Sequence, residues 1–148
     1  MEIEAKHGFS ICDTDPFKSH FDWSMAKAGF TTMDVFNAAM PMARDAILRR
    51  KLGFCDLYLV KHIAPEIARA QKENDSSRTR SRFEMHLELQ PYLRDWFETL
   101  SEVLPERVKF GFPKKHELIE KITSKLNEES PHRFNVSVLD AFLKRLSV

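Results

Sequence analysis

Apolar residues recur along most of this chain at the three- and four-residue spacing of an amphipathic helix. Phe17, Phe21, Met25 and Ala28 follow that spacing behind Asp15-Pro16, a capping residue with proline at the first helical position. Gly29 stands where a helix-closing glycine belongs. Phe36, Met40, Ala43 and Ile47 share a second face, with Thr31 and Asp34 in capping-box spacing before them and Gly53 as the expected end. Pro41 inside this run predicts a kink or two short helices. A third helix is expected from about Asp56 to Glu73, carrying Leu57, Val60, Ile63, Ile67 and Ala70 and interrupted at Pro65. Phe83, Leu87, Leu93, Trp96, Leu100 and Val103 predict a long helix bent near Pro91 and stopped before Pro105. Pro113 opens a helix over 114–127 with Leu118, Ile119, Ile122 and Leu126 inward and Glu117, Glu120, Lys121 and Lys125 outward. Leu139, Phe142, Leu143 and Leu146 form the last stripe, with Ser137 and Asp140 in capping-box spacing.

Three stretches alternate with period two instead, the signature of a strand: 2–11 (Ile3, Ala5, Phe9, Ile11), 107–112 (Val108, Phe110, Phe112) and 134–138 (Phe134, Val136, Val138). The expected architecture is therefore mainly α. It is an irregular bundle of five to six helices, several interrupted by proline, with a small two- or three-stranded sheet near 2–11, 107–112 and 134–138. Lys72 to Arg82 reads KENDSSRTRSR and holds no apolar residue, so 72–82 is expected to be a polar loop within a single domain spanning 1–148.

Glycine usage narrows the function classes. The 148 residues contain 4 glycines, widely spaced at positions 8, 29, 53 and 111. No G-x-G-x-x-G or G-x-x-x-x-G-K-[ST] loop can be built from them, which removes the commonest nucleotide fingerprints. Charge is balanced, 23 Lys and Arg against 22 Asp and Glu, which argues against a dedicated polyanion binder. The acidic start, Met1-Glu2-Ile3-Glu4, is followed by no apolar run, and no stretch of about 18 apolar residues occurs. The expectation is a cytoplasmic chain with no membrane contact. The two cysteines, Cys12 and Cys55, fit inert thiols in apolar surroundings, while a single disulfide between them is compatible with the spacing.

Candidate chemistry is sparse. Arg78, Arg80 and Arg82, interleaved with hydroxyl residues, could grip phosphates or an acidic partner, and Arg49, Arg50 and Lys51 would enlarge the patch if folded beside them. A charge run of this kind is more often plain solvated surface. Arg80 and His86 have the R-x(4–6)-H spacing that resembles HEPN ribonucleases, helical domains in which the pair meets at a dimer interface; here Ser81 replaces the polar Asn, Asp or His that follows the arginine there. Arg107-Val108-Lys109-Phe110-Gly111-Phe112 resembles the PLKIGI stretch of FinO/ProQ RNA-binding domains over those residues alone. The helices at 114–127 and 138–147, with extended pieces near 108–112 and 134–138, also resemble a small winged helix-turn-helix, although Lys144 and Arg145 are the only basic residues its second helix would offer DNA. Six histidines lack H-x-x-x-H or H-E-x-x-H spacing, and no G-x-S-x-G elbow occurs, so no catalytic residue, metal ligand set or cofactor is assigned. Met25, Met33, Met40 and Met42 near Phe30 and Phe36 read as core rather than as a pliable groove.

Three function classes remain. First is a protein-binding adaptor, inhibitor or regulator, of the kind small phage and mobile-element proteins resemble in size and composition. Second is a nucleic-acid binder using the 78–82 loop, and third an enzyme whose site the sequence does not reveal.

Overall fold

Aromatic side chains gather around one tryptophan. In the structure, a computed structural model that describes residues 10–75, 82–126 and 128–146, Trp96 is 3% exposed. Its ring meets Phe142 edge-on at 4.7 Å, Phe36 edge-on at 6.1 Å and Trp23 at 5.8 Å. These rings come from four helices: α1 (Ser19–Lys27), α2 (Met33–Leu48), α5 (Gln90–Val103) and α7 (Val136–Leu146). α1 packs on α2 and α5, and α7 packs on α5 and α2, so the four close a ring around the tryptophan. Edge-to-face geometry suits the aromatic quadrupole and adds to the large apolar area each ring buries. The mainly α architecture is as the periodicity predicts.

Local rules hold at some ends and fail at others. Gly29, at φ +80°, closes α1 by donating to the Ala26 carbonyl at 3.1 Å while Phe30 donates to Met25 at 2.9 Å. This is the paired-bond C-terminal motif that favours glycine. α2 runs unbroken through Pro41 rather than splitting in two. Its start lacks the capping box, because Thr32 is the N-cap and makes no side-chain cap bond. It ends at Leu48, and Arg50, at φ +56°, takes the left-handed position expected of a glycine.

Gly53 has a different task from the helix stop predicted. A Cβ there would lie 2.6 Å from the Arg133 carbonyl, and Phe54 donates its N–H to that same oxygen at 2.9 Å. The glycine lets two backbone segments touch.

The helix expected over Asp56–Glu73 is two elements. Its first half is strand β1 (Tyr58–Val60), and Pro65 opens rather than interrupts α3 (Pro65–Glu73). β1 lies parallel to β2 (Val108–Phe110), with Tyr58 opposite Val108 and Val60 opposite Phe110. The crossover between them carries α3, α4 (Phe83–Glu88) and α5, as parallel pairing requires a long connection. The break between α4 and α5 falls at buried Leu89, beside Pro91, as expected; proline in the first turn of α5 leaves no amide unsatisfied.

Among the described residues the sheet has two strands, and their pairing differs from that predicted. Residues 134–138 form no strand, because α7 begins at Val136, with the Asn135 side chain accepting from the Ser137 amide at 2.9 Å in place of the Ser137–Asp140 box. The winged variant thus loses an extended piece. Residues 1–9 of the predicted 2–11 strand lie outside the described residues, and Ser10 and Ile11 are not in a strand. The loop over 72–82 is helical at Lys72 and Glu73, while 76–81 fall outside the described residues.

α6 (Lys115–Leu126) matches its prediction but stands apart from the core. None of its residues 115–125 is buried, and Ile119 is 54% exposed. Among the described residues, no helix is long and apolar enough to cross a membrane.

Candidate functional site

A cleft of about 1330 Å³ opens between the segment before α1, the connection from Lys51 through β1, and the apolar side of α6. Leu93 and Phe97 of α5 line one part of it, and Phe110, Phe112, Leu118 and Ile122 another. Phe110 and Phe112 are 50% and 60% exposed, so two aromatic rings stand at the surface beside an unburied apolar helix face. Large exposed apolar patches of this kind mark interaction sites more often than single exposed side chains do.

The polar side of the cleft is built around Asp56. Its carboxylate accepts from the Ser130 hydroxyl and from the Arg133 guanidinium, and its Oδ1 lies 3.6 Å from His132 Nε2. His132 Nε2 is also 3.3 Å from the Cys55 carbonyl. Burial lowers the His132 pKa, opposed by the Cys55 carbonyl and reinforced by the Arg107 charge. The ring is therefore neutral near pH 7, and its approach to Asp56 is not a salt bridge. Arg107 extends the network, donating to the Asp56 carbonyl at 3.4 Å and pairing with Glu128 at 3.1 Å. Lys125 pairs with the same Glu128 at 2.8 Å. These contacts tie the end of α6 to the foot of the sheet while its apolar face stays free of the core.

Asp15 lies deeper, 6% exposed, between the cleft and the aromatic core. Its Oδ1 accepts the Phe17 amide at 3.0 Å, and Lys18 donates to its carbonyl at 3.0 Å. The chain thus turns once before α1 starts at Ser19, three residues later than Asp15-Pro16 suggests. Burial pushes the Asp15 carboxyl up to about 6, against the opposing pull of the Phe17 amide. The indole N–H of Trp96 also favours the charged form, yet completes no hydrogen bond. Burial likewise pushes the Cys55 thiol up to about 12, with Asp15 adding to the effect. A thiol held protonated in this way attacks only slowly near neutrality. Ser130 bonds directly to Asp56, so Ser130, His132 and Asp56 do not form a relay in which the histidine takes the hydroxyl proton.

Of the predicted basic residues, Arg49, Arg50, Lys51 and Arg82 lie among those described. Arg49 pairs with Asp45 one turn back at 2.9 Å. Arg50 places its guanidinium 5.6 Å from the Phe134 ring centroid, and Lys51 lines the cleft. Arg82 is the left-handed N-cap of α4. Arg78 and Arg80 lie outside the described residues, so the Arg80–His86 pairing does too; His86 itself is exposed, 5.7 Å from the Phe21 ring. Cys12 is exposed rather than packed in apolar surroundings, and both cysteines are free. Among the described residues, no three His, Cys, Asp or Glu side chains gather as a metal site. Met33 and Met40 pack on the core as expected, whereas Met42 is 71% exposed.

The residues that build the polar side were missed from sequence. Asp56 meets Ser130 and Arg133 across 74 and 77 positions, and no local spacing encodes such a meeting. The available signal was the clustering of Ser130, His132 and Arg133 around Pro131 between two helices, a polar connection longer than a tight turn. No protein-family model matches the chain, and no curated protein or solved structure is significantly similar to it.

Proposed function

We propose that this chain acts by binding a protein partner at the apolar side of the cleft, as an adaptor, inhibitor or regulator. The observation that carries the reading is the unburied apolar face of α6 standing beside exposed Phe110 and Phe112. An amphipathic helix normally turns such a face into its own core. Here the face borders a cleft large enough for several side chains of a partner. The Asp56–Arg133 and Arg107–Glu128 pairs brace that cleft from below. Aromatic residues ringed by charged pairs match the composition of protein-recognition surfaces.

The test is capture from native lysate with and without nuclease. A partner retained after nuclease treatment, and lost with Phe112→Glu or Phe110→Glu while the circular dichroism spectrum is unchanged, supports the reading. Capture that vanishes with nuclease, or that depends on Arg78, Arg80 and Arg82 but not on Phe112, overturns it in favour of nucleic-acid binding. That alternative also predicts a steep loss of affinity with salt, through counterion release.

A further inference from the structure

We infer that Cys12 and Cys55 form a reversible disulfide that pins the segment before α1 across the cleft, making access to the cleft depend on thiol redox state. They are the two cysteines of the chain, 43 positions apart, and both line the same cleft. Each is free, Cys12 exposed and Cys55 half-buried. Asp15, three residues after Cys12, borders the same cavity beside Cys55.

The two sides differ in how they are held, in a way that suits closure. Cys55 is fixed: its amide donates to the Tyr58 hydroxyl at 3.0 Å, and the preceding Phe54 amide is held by Arg133. Residues 10–14 belong to no helix or strand and make no backbone hydrogen bond to another described residue. Disulfide geometry requires Cα atoms within about 7 Å, and a tether that starts only at Asp15 can swing to meet it. Cys12 is the accessible partner and Cys55 the sheltered one.

The chemistry needs an oxidant, and a small-molecule disulfide such as oxidised glutathione supplies it. The Cys12 thiolate attacks one glutathione sulfur, forming a mixed disulfide and releasing one glutathione thiolate. The Cys55 thiolate then attacks the Cys12 sulfur, forming the Cys12–Cys55 bond and releasing the second glutathione. The protein loses two hydrogens and the oxidant becomes two reduced thiols. Asp15, Asp56 and Tyr58 surround Cys55, and burial with the Asp15 charge disfavours its thiolate. Ring closure should therefore be the slow step and should accelerate about tenfold per pH unit from pH 7 to 9.

The full chain is treated with oxidised glutathione and followed by intact mass and a non-reducing peptide map. The expected product is a monomer short of two hydrogens, with the Cys12 and Cys55 peptides joined and the thermal midpoint raised by about 5–10 °C. Cys12→Ser, a surface change, should show neither the link nor the shift. A persistent glutathione adduct on Cys12, or a chain-to-chain dimer, overturns the disulfide. The gating consequence rests on the cleft being the docking site, so partner capture is compared for reduced, oxidised and re-reduced protein. Capture lost on oxidation and restored by reductant supports the gate, and capture indifferent to oxidation overturns it. If capture is also indifferent to Phe112→Glu, the docking reading has failed, while the mass and peptide map still decide the disulfide.

Discussion

The two sides of this molecule solve the burial problem differently. Around Trp96 the chain closes four helices on an aromatic cluster whose members are almost wholly buried. Around Asp56 it joins a three-residue strand pair, a polar connection and an unburied helix with ion pairs and hydrogen bonds. The first arrangement draws its strength from apolar area and close packing. The second rests on partly buried charged contacts, whose desolvation offsets much of their attraction. Stability should therefore concentrate on the aromatic side, leaving the cleft side freer to repack against a partner.

That contrast can be broken most forcefully at Trp96. Trp96→Ala should lower unfolding free energy by about 3–5 kcal/mol, measured by urea denaturation. A loss as small as that of a surface change would remove the distinction between the two sides. Next in size is the pH term from Asp15. Its folded value is raised to about 6 from the usual 3.8, so its contribution to stability is complete below about pH 4 and is lost as pH rises through 6. A shift of about 2 units corresponds to about 3 kcal/mol between those limits. Asp15→Asn keeps an acceptor for the Phe17 amide and should flatten that pH dependence; an unchanged profile would mean another group titrates there.

Smaller effects belong to the cleft side. Gly53→Ala forces a methyl against the Arg133 carbonyl, which is backbone and yields little, and should destabilise by about 1–3 kcal/mol in the same denaturation assay. Asp56→Ala removes an acceptor from both Ser130 and Arg133 and should cost about 1–2 kcal/mol, with equal stability arguing that the network is ornamental to the fold. Ile119→Ser on α6 should change stability by under about 0.5 kcal/mol, since that side chain is already half in water. A large loss there would show that α6 belongs to the core, and the docking reading would lose its support.

Much of the fold was legible where a local rule and the tertiary environment agree. Gly29 closes α1 because a left-handed residue is needed and glycine takes it without strain. The break at Leu89 follows from Pro91, and α6 and β2 lie where periodicity puts them. The failures share one cause. Asp56 to Val60 fits a helical stripe and a strand equally well, and pairing with Val108–Phe110, about fifty residues away, decides for the strand. Val136 and Val138 alternate like strand residues, yet the buried stripe of Leu139, Phe142 and Leu146 commits them to α7. Gly53 looks like a helix stop until Arg133 is seen against it. Of the candidate site, the apolar stripe of α6 was visible but its lack of a partner was not, and the Asp56 network could not be read at all.

By itself, then, the sequence determined the helical class, most helix faces, the absence of glycine-rich nucleotide loops and the balanced charge. Each of these depends on neighbours within a turn or two, or on composition. Only the tertiary structure decided which periodic stripe stays unburied, which short run becomes strand, and how Asp56 meets residues 74 and 77 positions onward. These depend on contacts between distant segments, and the free energy that selects among them comes from packing the Trp96 cluster as a whole.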